Sequence, residues 1–444
     1  MDAPSRSSGL PRLPRLIAVL ALFTALFLGT SGVRAESHLL VATYDGVINP
    51  VAAEYIHDAL ASAEAGNAQA LIVRLNTPGG LDSSMRLIIQ DITGSAMPVI
   101  VYVSPSSGRA ASAGVFITMA GHIAAMAPGT NIGAAHPVAL GGGEPDKSMK
   151  EKMENDAAAY LKSIAEQRGR NVAWAEDAVR KSLSVTEGEA LKLKVVDLVA
   201  DNIPALLRQL DGRTVALQNG PTVLHTANAA VRDFPMGLRL EFLKTLSDPN
   251  IAYLLMTIGT IGLIAELYNP GAILPGVVGA ISLILAFYSF QSLPINYAGV
   301  LLFLLGIVFF ILEASITSYG LLGIGGAVSM LLGSVMLIKT DVEFLQISWS
   351  VILPVVALTA ACSLFMVGMG VRAMRRRPMT GREEMVGLVG VATTALAPRG
   401  LFAVHGELWE AVSEHPVQAG TEAEVTRVEG LRLHVKPCSQ QHEA

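Results

Sequence analysis

Two short stretches carry the residue types that acyl transfer needs. The first is Ser106-Ser107-Gly108-Arg109-Ala110-Ala111-Ser112-Ala113-Gly114. It follows a strand-like run over 98–103 and leads into an apolar helix. A serine at that helix start has small neighbours that leave its Oγ accessible. The helix N-terminus favours developing negative charge, and the Ala113 N–H is placed to serve an oxyanion hole. The second stretch is Asn76-Thr77-Pro78-Gly79-Gly80, after a strand-like run over 70–75. Paired glycines allow close backbone approach and present N–H groups to a ligand. Both loops fall at the C-terminal ends of parallel strands, where open α/β sheets place their sites. Either stretch alone reads as an ordinary turn or helix filler. Together they make Ser112 a candidate nucleophile, with Gly79, Gly80 and Ala113 as candidate oxyanion donors.

A serine nucleophile needs a base, and the chain has no G-x-S-x-G elbow. Lys152 lies downstream in the lysine-rich run 147–152, with Lys150 beside it. A lysine acts as a base only when neutral, which requires burial or nearby positive charge. His136, in Gly133-Ala134-Ala135-His136-Pro137, needs no such tuning. Residue types alone leave both open. There is no H-E-x-x-H and no G-x-x-x-x-G-K-[ST], so neither metal nor cofactor is expected.

These residues must be positioned by a folded domain, and 36–235 reads as one. Apolar strand runs at 39–44, 70–75 and 98–103 alternate with helices at 51–65 and 83–92. Continuous apolar strands of this kind imply a parallel sheet covered on both faces. A long amphipathic helix over 147–168 and a second over 172–181 follow. Ahead of this domain, Arg6, Arg12 and Arg15 precede an apolar core at 16–28 and a small-x-small site at Val33-Arg34-Ala35. Residues 1–35 therefore read as a cleaved signal peptide.

The rest of the chain has a different solvent in view. Of the 444 residues, 51% are hydrophobic and only 16% charged, well below the roughly one quarter charged of a soluble domain. After an amphipathic linker at 236–250, apolar stretches recur near 251–267, 272–290, 297–313, 320–338 and 349–371. Each approaches the length that crosses a bilayer, so about five spans are expected over 251–371. Arg372, Arg375, Arg376, Arg377 and Arg382 follow in a basic linker over 372–382 and place that end in the cytoplasm. Inside the block, Glu266 with Gly276, Gly279 and Ser282 repeats as Glu313 with Gly323, Gly326 and Ser329. Small residues at helix spacing suit close packing in lipid, and the two Glu residues read as interfacial turn anchors. Residues 383–437 carry five short Val-rich alternating runs, the pattern of a small OB-like β-barrel, ahead of a tail at 438–444. With 32 basic against 37 acidic residues, net charge −5, no nucleic acid is expected as a partner. Two cysteines, Cys362 and Cys438, supply neither a disulfide framework nor a Cys-based metal site.

The chain resembles the long-form NfeD family, membrane-bound serine proteases of the Clp-protease/crotonase superfamily associated with stomatin-like proteins. The resemblance covers nearly the whole mature chain. It rests on the Asn-Thr-Pro-Gly-Gly loop and the Gly-Arg-Ala-Ala-Ser-Ala-Gly segment. It also rests on Met-Ala-Pro-Gly-Thr-x-Ile-Gly-Ala over 126–134, Arg-Gly-Arg-Asn over 168–171, the repeated membrane hairpins and the OB-like end. It implies a multi-domain chain: an α/β Clp-protease-like (crotonase-like) domain, a helical transmembrane block and a C-terminal OB-like barrel. It implies a serine–lysine dyad, carried onto Ser112 and Lys152, with Lys150 in reserve. His136 falls near the triad histidine of soluble Clp proteases, and no Asp stands at a comparable later spacing. The implied substrate is a hydrophobic peptide segment, including that of a stomatin-like or flotillin-like membrane partner. Self-association and a multi-pass place in the bacterial cytoplasmic membrane, protease domain outside, are implied too. The rival readings are degradation of leftover signal peptides and a non-catalytic membrane scaffold.

Overall fold

The structure is a computed structural model that describes residues 38–138, 146–268, 271, 273–291, 293–316, 318–340, 342–374 and 385–438. The leader, most of the basic linker and the last residues of the tail lie outside the described residues. The N-terminal domain runs β1 (His38–Asp45), α1 (Pro50–Ala65), β2 (Ala70–Asn76), α2 (Asp82–Gly94), β3 (Val99–Val103), β4 (Arg109–Ala111), α3 (Ala113–Ala120), β5 (Ile123–Met126) and β6 (Asn131–Gly133). It continues with α4 (Lys147–Arg168), α5 (Val172–Arg180), β7 (Ser184–Thr186), α6 (Glu187–Lys192), β8 (Leu198–Val199), α7 (Ile203–Leu210), β9 (Thr214–Leu217), β10 (Gly220–Val223) and β11 (Ala230–Phe234).

Six strands form one sheet in the order β11-β1-β2-β3-β5-β8, with every neighbouring pair parallel. The reason lies in the strand sequences. Leu71, Val73 and Leu75 of β2 face a core shared with α1 to α5, while Ala70 and Ile72 face a second core against α7. With both faces buried, the strand reads as an unbroken apolar run, and alternation disappears. A second sheet, β4-β6-β7, carries the chain from the main sheet into α3. This two-sheet α/β arrangement is the Clp-protease-like class expected from sequence.

The chain divides into two compact units, Met1–Ile307 with Ala327–Val356, and Val308–Gly326 with Ala357–Ala444. The first unit continues through α8 (Leu238–Leu246) and α9 (Pro249–Tyr268), then α10 (Ile273–Phe290), before α11 (Tyr297–Ser315), α12 (Leu321–Met336) and α13 (Trp349–Met374) complete the helices. Helices α9 and α10 pack through glycine. A Cβ on Gly262 would lie 2.6 Å from Pro275 O, and one on Gly279 would lie 2.9 Å from Gly259 O. Only glycine lets these backbones approach so closely. Three helical stretches, Pro249–Tyr268, Ile273–Phe290 and Trp349–Met369, are long and apolar enough to cross a membrane. Tyr297–Glu313 and Leu321–Met336 are apolar but shorter. Three of the five expected spans thus have full crossing length.

In the second unit Glu313 is buried and fully engaged by its own turn. Its carboxylate accepts from Gly320 N–H and Gly323 N–H, each at 2.9 Å, and from the Ser318 hydroxyl. It is a turn anchor, as the repeat suggested. The C-terminal strands β12 (Val389–Ala392), β13 (Arg399–Val404), β14 (Glu407–Ser413), β15 (Glu422–Glu429) and β16 (Arg432–Pro437) close into a barrel in the order β12-β13-β14-β16-β15. Only β14 and β16 pair in parallel, an arrangement consistent with an OB-like barrel. Phe402 is wholly buried in the barrel core.

Candidate active site

Ser112 sits where β4 turns into α3. Its backbone is at φ 51°, ψ −115°, a conformation that costs a non-glycine residue on the order of 1–3 kcal/mol and that clusters at active sites. Neighbouring structure imposes it. Ser112 N–H donates to Gly133 O at 3.1 Å, and Val115 N–H donates to Ser112 O at 3.0 Å. The serine is half-buried in the wall of a cavity of about 690 Å³.

The glycine loop is fitted against it. A Cβ on Gly79, whose φ is +126°, would lie 2.7 Å from Ser112 Cβ, and a Cβ on Gly80 would run into the Ile48 carbonyl. Thr77 locks the turn: its Oγ1 accepts from Gly79 N–H at 3.0 Å and donates to Gly79 O at 3.0 Å. Gly79 was expected to help as an oxyanion donor, but its N–H is already taken by Thr77, so its contribution here is room beside Ser112. Gly80 N–H and Ala113 N–H have no acceptor among the described residues. Gly80 and Ala113 both line the cavity with Ser112.

The opposite end of α3 is closed by charge. The buried Arg170 guanidinium donates to Met119 O and to Asp197 Oδ2 at 2.6 Å, and Arg168 Nε donates to Ala120 O at 2.8 Å. Cations at a helix C-terminus complement its dipole. Burial, helped by Arg170, pulls Arg168 down to about 10, which still leaves it charged at neutral pH. Burial, with Arg168 and Arg170 adding to it, pushes His122 down to about 4. Its neutral ring accepts Val99 N–H on Nδ1 at 3.2 Å.

The candidate bases are placed differently. His136 lines the same cavity as Ser112. Its Nδ1 lies 3.0 Å from Val179 O, so a neutral ring carries its proton there and turns its Nε2 lone pair elsewhere. Lys152 is exposed and outside the cavity lining, as is Lys150. Helix phase explains this. Leu161 marks the buried face of α4, and nine residues at about 100° each place Lys152 half a turn away from it. The neighbouring residues Met153, Asp156 and Ala157 line the cavity instead. Asp156 also ties α4 to α2, since Arg86 bonds Asp156 at 2.6 Å and Asp82 at 2.8 Å. Burial opposes the Arg86 charge, but the two carboxylates outweigh it and raise its pKa. Sequence reasoning missed two cations in the cavity lining, Arg86 itself and Lys244 of α8, whose Nζ lies 5.2 Å from the Tyr44 ring centroid. Lys244 lies far along the chain in an amphipathic linker, and only the fold brings it here. Among the described residues no cluster of His, Cys, Asp or Glu could hold a metal ion.

Comparison with known proteins gives three family matches along the chain. Residues 41–216 match the N-terminal domain of NfeD1b, residues 250–369 the NfeD integral membrane domain, and residues 382–437 the NfeD-like C-terminal, partner-binding domain. A membrane-bound protease of Pyrococcus horikoshii is 36% identical over 430 residues, covering 94% of this chain and 97% of its own. The membrane protein NfeD1b of Bacillus subtilis is 27% identical, covering 94% and 98%. Among solved structures, a lysine-to-alanine mutant of a membrane-bound stomatin-specific protease in complex with a substrate peptide is 35% identical. It covers 47% of this chain and 97% of its own, with a TM-score of 0.45.

Proposed function

The chain belongs to the NfeD family of membrane proteins, and from that premise we propose that it is a membrane-anchored serine endopeptidase. It cuts an apolar segment of a stomatin-like membrane partner, with Ser112 as nucleophile and Lys152 as general base. The observation that carries the reading is Ser112 itself. It is held in a strained conformation at the start of α3, in a cavity it shares with Gly80 and Ala113, whose N–H groups have no acceptor among the described residues.

The reaction follows from these groups. Ser112 Oγ loses its proton to the base and attacks the peptide carbonyl. Gly80 and Ala113 N–H groups receive the oxyanion. The C–N bond breaks as the base returns its proton to the leaving amine. Water, deprotonated by the same base, then releases the acid from the acyl-enzyme. For Lys152 to serve, the first turns of α4 must rotate by about 100°, the angle between neighbouring helix residues. Residues 146–152 are all exposed, so no core packing opposes that turn; the bonds from Met149 N–H to the Asp146 side chain at 2.7 Å and from Lys150 N–H to Asp146 O at 3.0 Å, with the backbone bonds that join these turns to the rest of α4, must give way. Desolvation in the cavity favours a neutral lysine, and Arg86 and Lys244 in the lining add to that, against the opposing pull of Asp82 and Asp156. His136 supplies a second reading of the base, because it already lines the cavity with its ring oriented.

In this reading the α/β domain lies outside the bacterial cytoplasmic membrane and the barrel inside. Three crossings or five alike put the two on opposite sides, and the arginines at 372–382 mark the inner end. The test uses the full chain in lipid nanodiscs and an apolar peptide with the sequence of a stomatin-like C-terminus. Ser112→Ala and Lys152→Ala should each remove at least about 10²-fold of the turnover, the scale of a lost general base. If Lys152→Ala cleaves normally and His136→Ala does not, the base is His136. If folded unmutated chain cuts nothing between pH 6 and about 10, a window spanning the titration of histidine and lysine, the peptidase reading falls.

A further inference from the structure

The cavity over Ser112 is not closed by the α/β domain alone. Leu293, Val342, Phe344 and Leu345 line it too, and they come from two loops of the membrane block, between α10 and α11 and between α12 and α13. We propose that these loops form one wall of the substrate cleft, with Phe344 at the centre of a subsite that selects an apolar side chain beside the cut bond. This rests on the serine-peptidase reading above.

The wall is built. Asn296 N–H donates to Leu337 O at 2.8 Å, and Lys339 N–H to Pro294 O at 3.2 Å, so the two loops are stitched together. Ser348 N–H donates to Asn250 Oδ1 at 2.8 Å, which ties the second loop to the start of α9. Leu293 and Leu345 are each 8% exposed, so they pack as core, while Phe344 is only half-buried and lines the cavity with the rest of its surface. All four wall residues are apolar. The α/β domain contributes Met85, Phe116 and Met153 to the same lining. At about 690 Å³ the space matches pockets that enclose a small ligand. It takes a few extended residues and excludes a folded domain.

The occupant is an extended apolar polypeptide segment arriving from the bilayer. Pro249, the first residue of the spanning stretch Pro249–Tyr268, itself lines the cavity. The cleft therefore opens at the foot of a span, where an apolar segment leaves lipid.

The experiment separates binding from turnover. Full-length Ser112→Ala chain in nanodiscs is titrated with a fluorescein-labelled dodecapeptide carrying a central Leu-Leu pair, and with its Ser-Ser twin. Adding Phe344→Ala should weaken the Leu-Leu peptide about 10-fold, the scale of one large buried apolar side chain, and leave the twin unchanged. Equal effects on both peptides, or none, overturn the subsite. In a second measurement a diazirine analogue replaces either leucine, and the unaltered loops are tested by irradiation. Crosslinks within 339–348 support the wall. Crosslinks confined to 38–234, or no crosslink, overturn it, whatever Phe344→Ala does to folding. Turnover by the unmutated chain is scored separately. Binding and loop crosslinks without cleavage sink the peptidase and leave the subsite; cleavage with crosslinks only in 38–234 does the reverse.

Discussion

At its N-terminus α3 leaves the Ala113 N–H without an acceptor among the described residues and holds Ser112 in strain. At its C-terminus the same helix has two guanidiniums for its last carbonyls. Every helix end exposes unpaired backbone groups, and this one resolves them at one end only. The closed end is structure. The open end faces a cavity and costs stability, a difference that marks where a ligand is expected to complete the hydrogen bonding. Activity and stability should therefore divide between the two ends.

Four substitutions or conditions probe that division. Ser112→Ala, at the open end, should abolish peptide cleavage, by about 10⁴-fold or more, and leave the thermal midpoint of the solubilised chain nearly unchanged. Arg170→Ala, at the closed end, should do the opposite. It leaves the Met119 carbonyl without its donor and takes the cation from Asp197, which is partly exposed and keeps the Ala124 N–H, so about 1–3 kcal/mol of stability should go, read by denaturant unfolding of the N-terminal domain. An Arg170→Ala chain that melted normally but lost turnover would erase the distinction. Thr77→Val keeps the shape of the glycine turn but removes the hydroxyl that pairs twice with Gly79. It should cost about 1–3 kcal/mol and lower kcat with little change in KM, because the Gly80 N–H loses its fixed aim. The smallest effect is a pH dependence at the closed end. His122 is held near 4 in the fold against about 6.5 unfolded. Only the unfolded chain gains a proton between those values, so the His122 contribution to stability is level above pH 6.5 and falls as pH drops toward 4. His122→Asn should flatten that slope in a series of thermal melts.

How much of this was legible in sequence follows the range of the forces involved. The strands β1, β2 and β3 were readable because two-sided burial writes an apolar run into each. β11 was not, since an edge strand of five residues with Arg232 and Asp233 in its second half carries no such run. Ser112 was readable from its small neighbours and its place after a strand. The use of the Gly79 N–H was not, because it depends on the rotamer of Thr77. The outward phase of Lys152 was available from its spacing to Leu161, but helix period had to be weighed against the family motif. Lys244 and Phe344 reach the cavity by tertiary packing alone, and no local pattern announces such residues.

The connection between the domain and the first span has a metric consequence. The Tyr55 hydroxyl donates to Phe234 O at 2.6 Å, Arg239 pairs with Glu54, and Ser289 Oγ donates to Leu246 O at 2.5 Å. Two residues, Ser247 and Asp248, separate α8 from α9. A joint this short, bonded on both sides, sets the height of Ser112 above the start of the span. A peptidase with such a joint would act as a ruler, selecting a bond by the number of residues between that bond and the lipid as well as by the side chains around it.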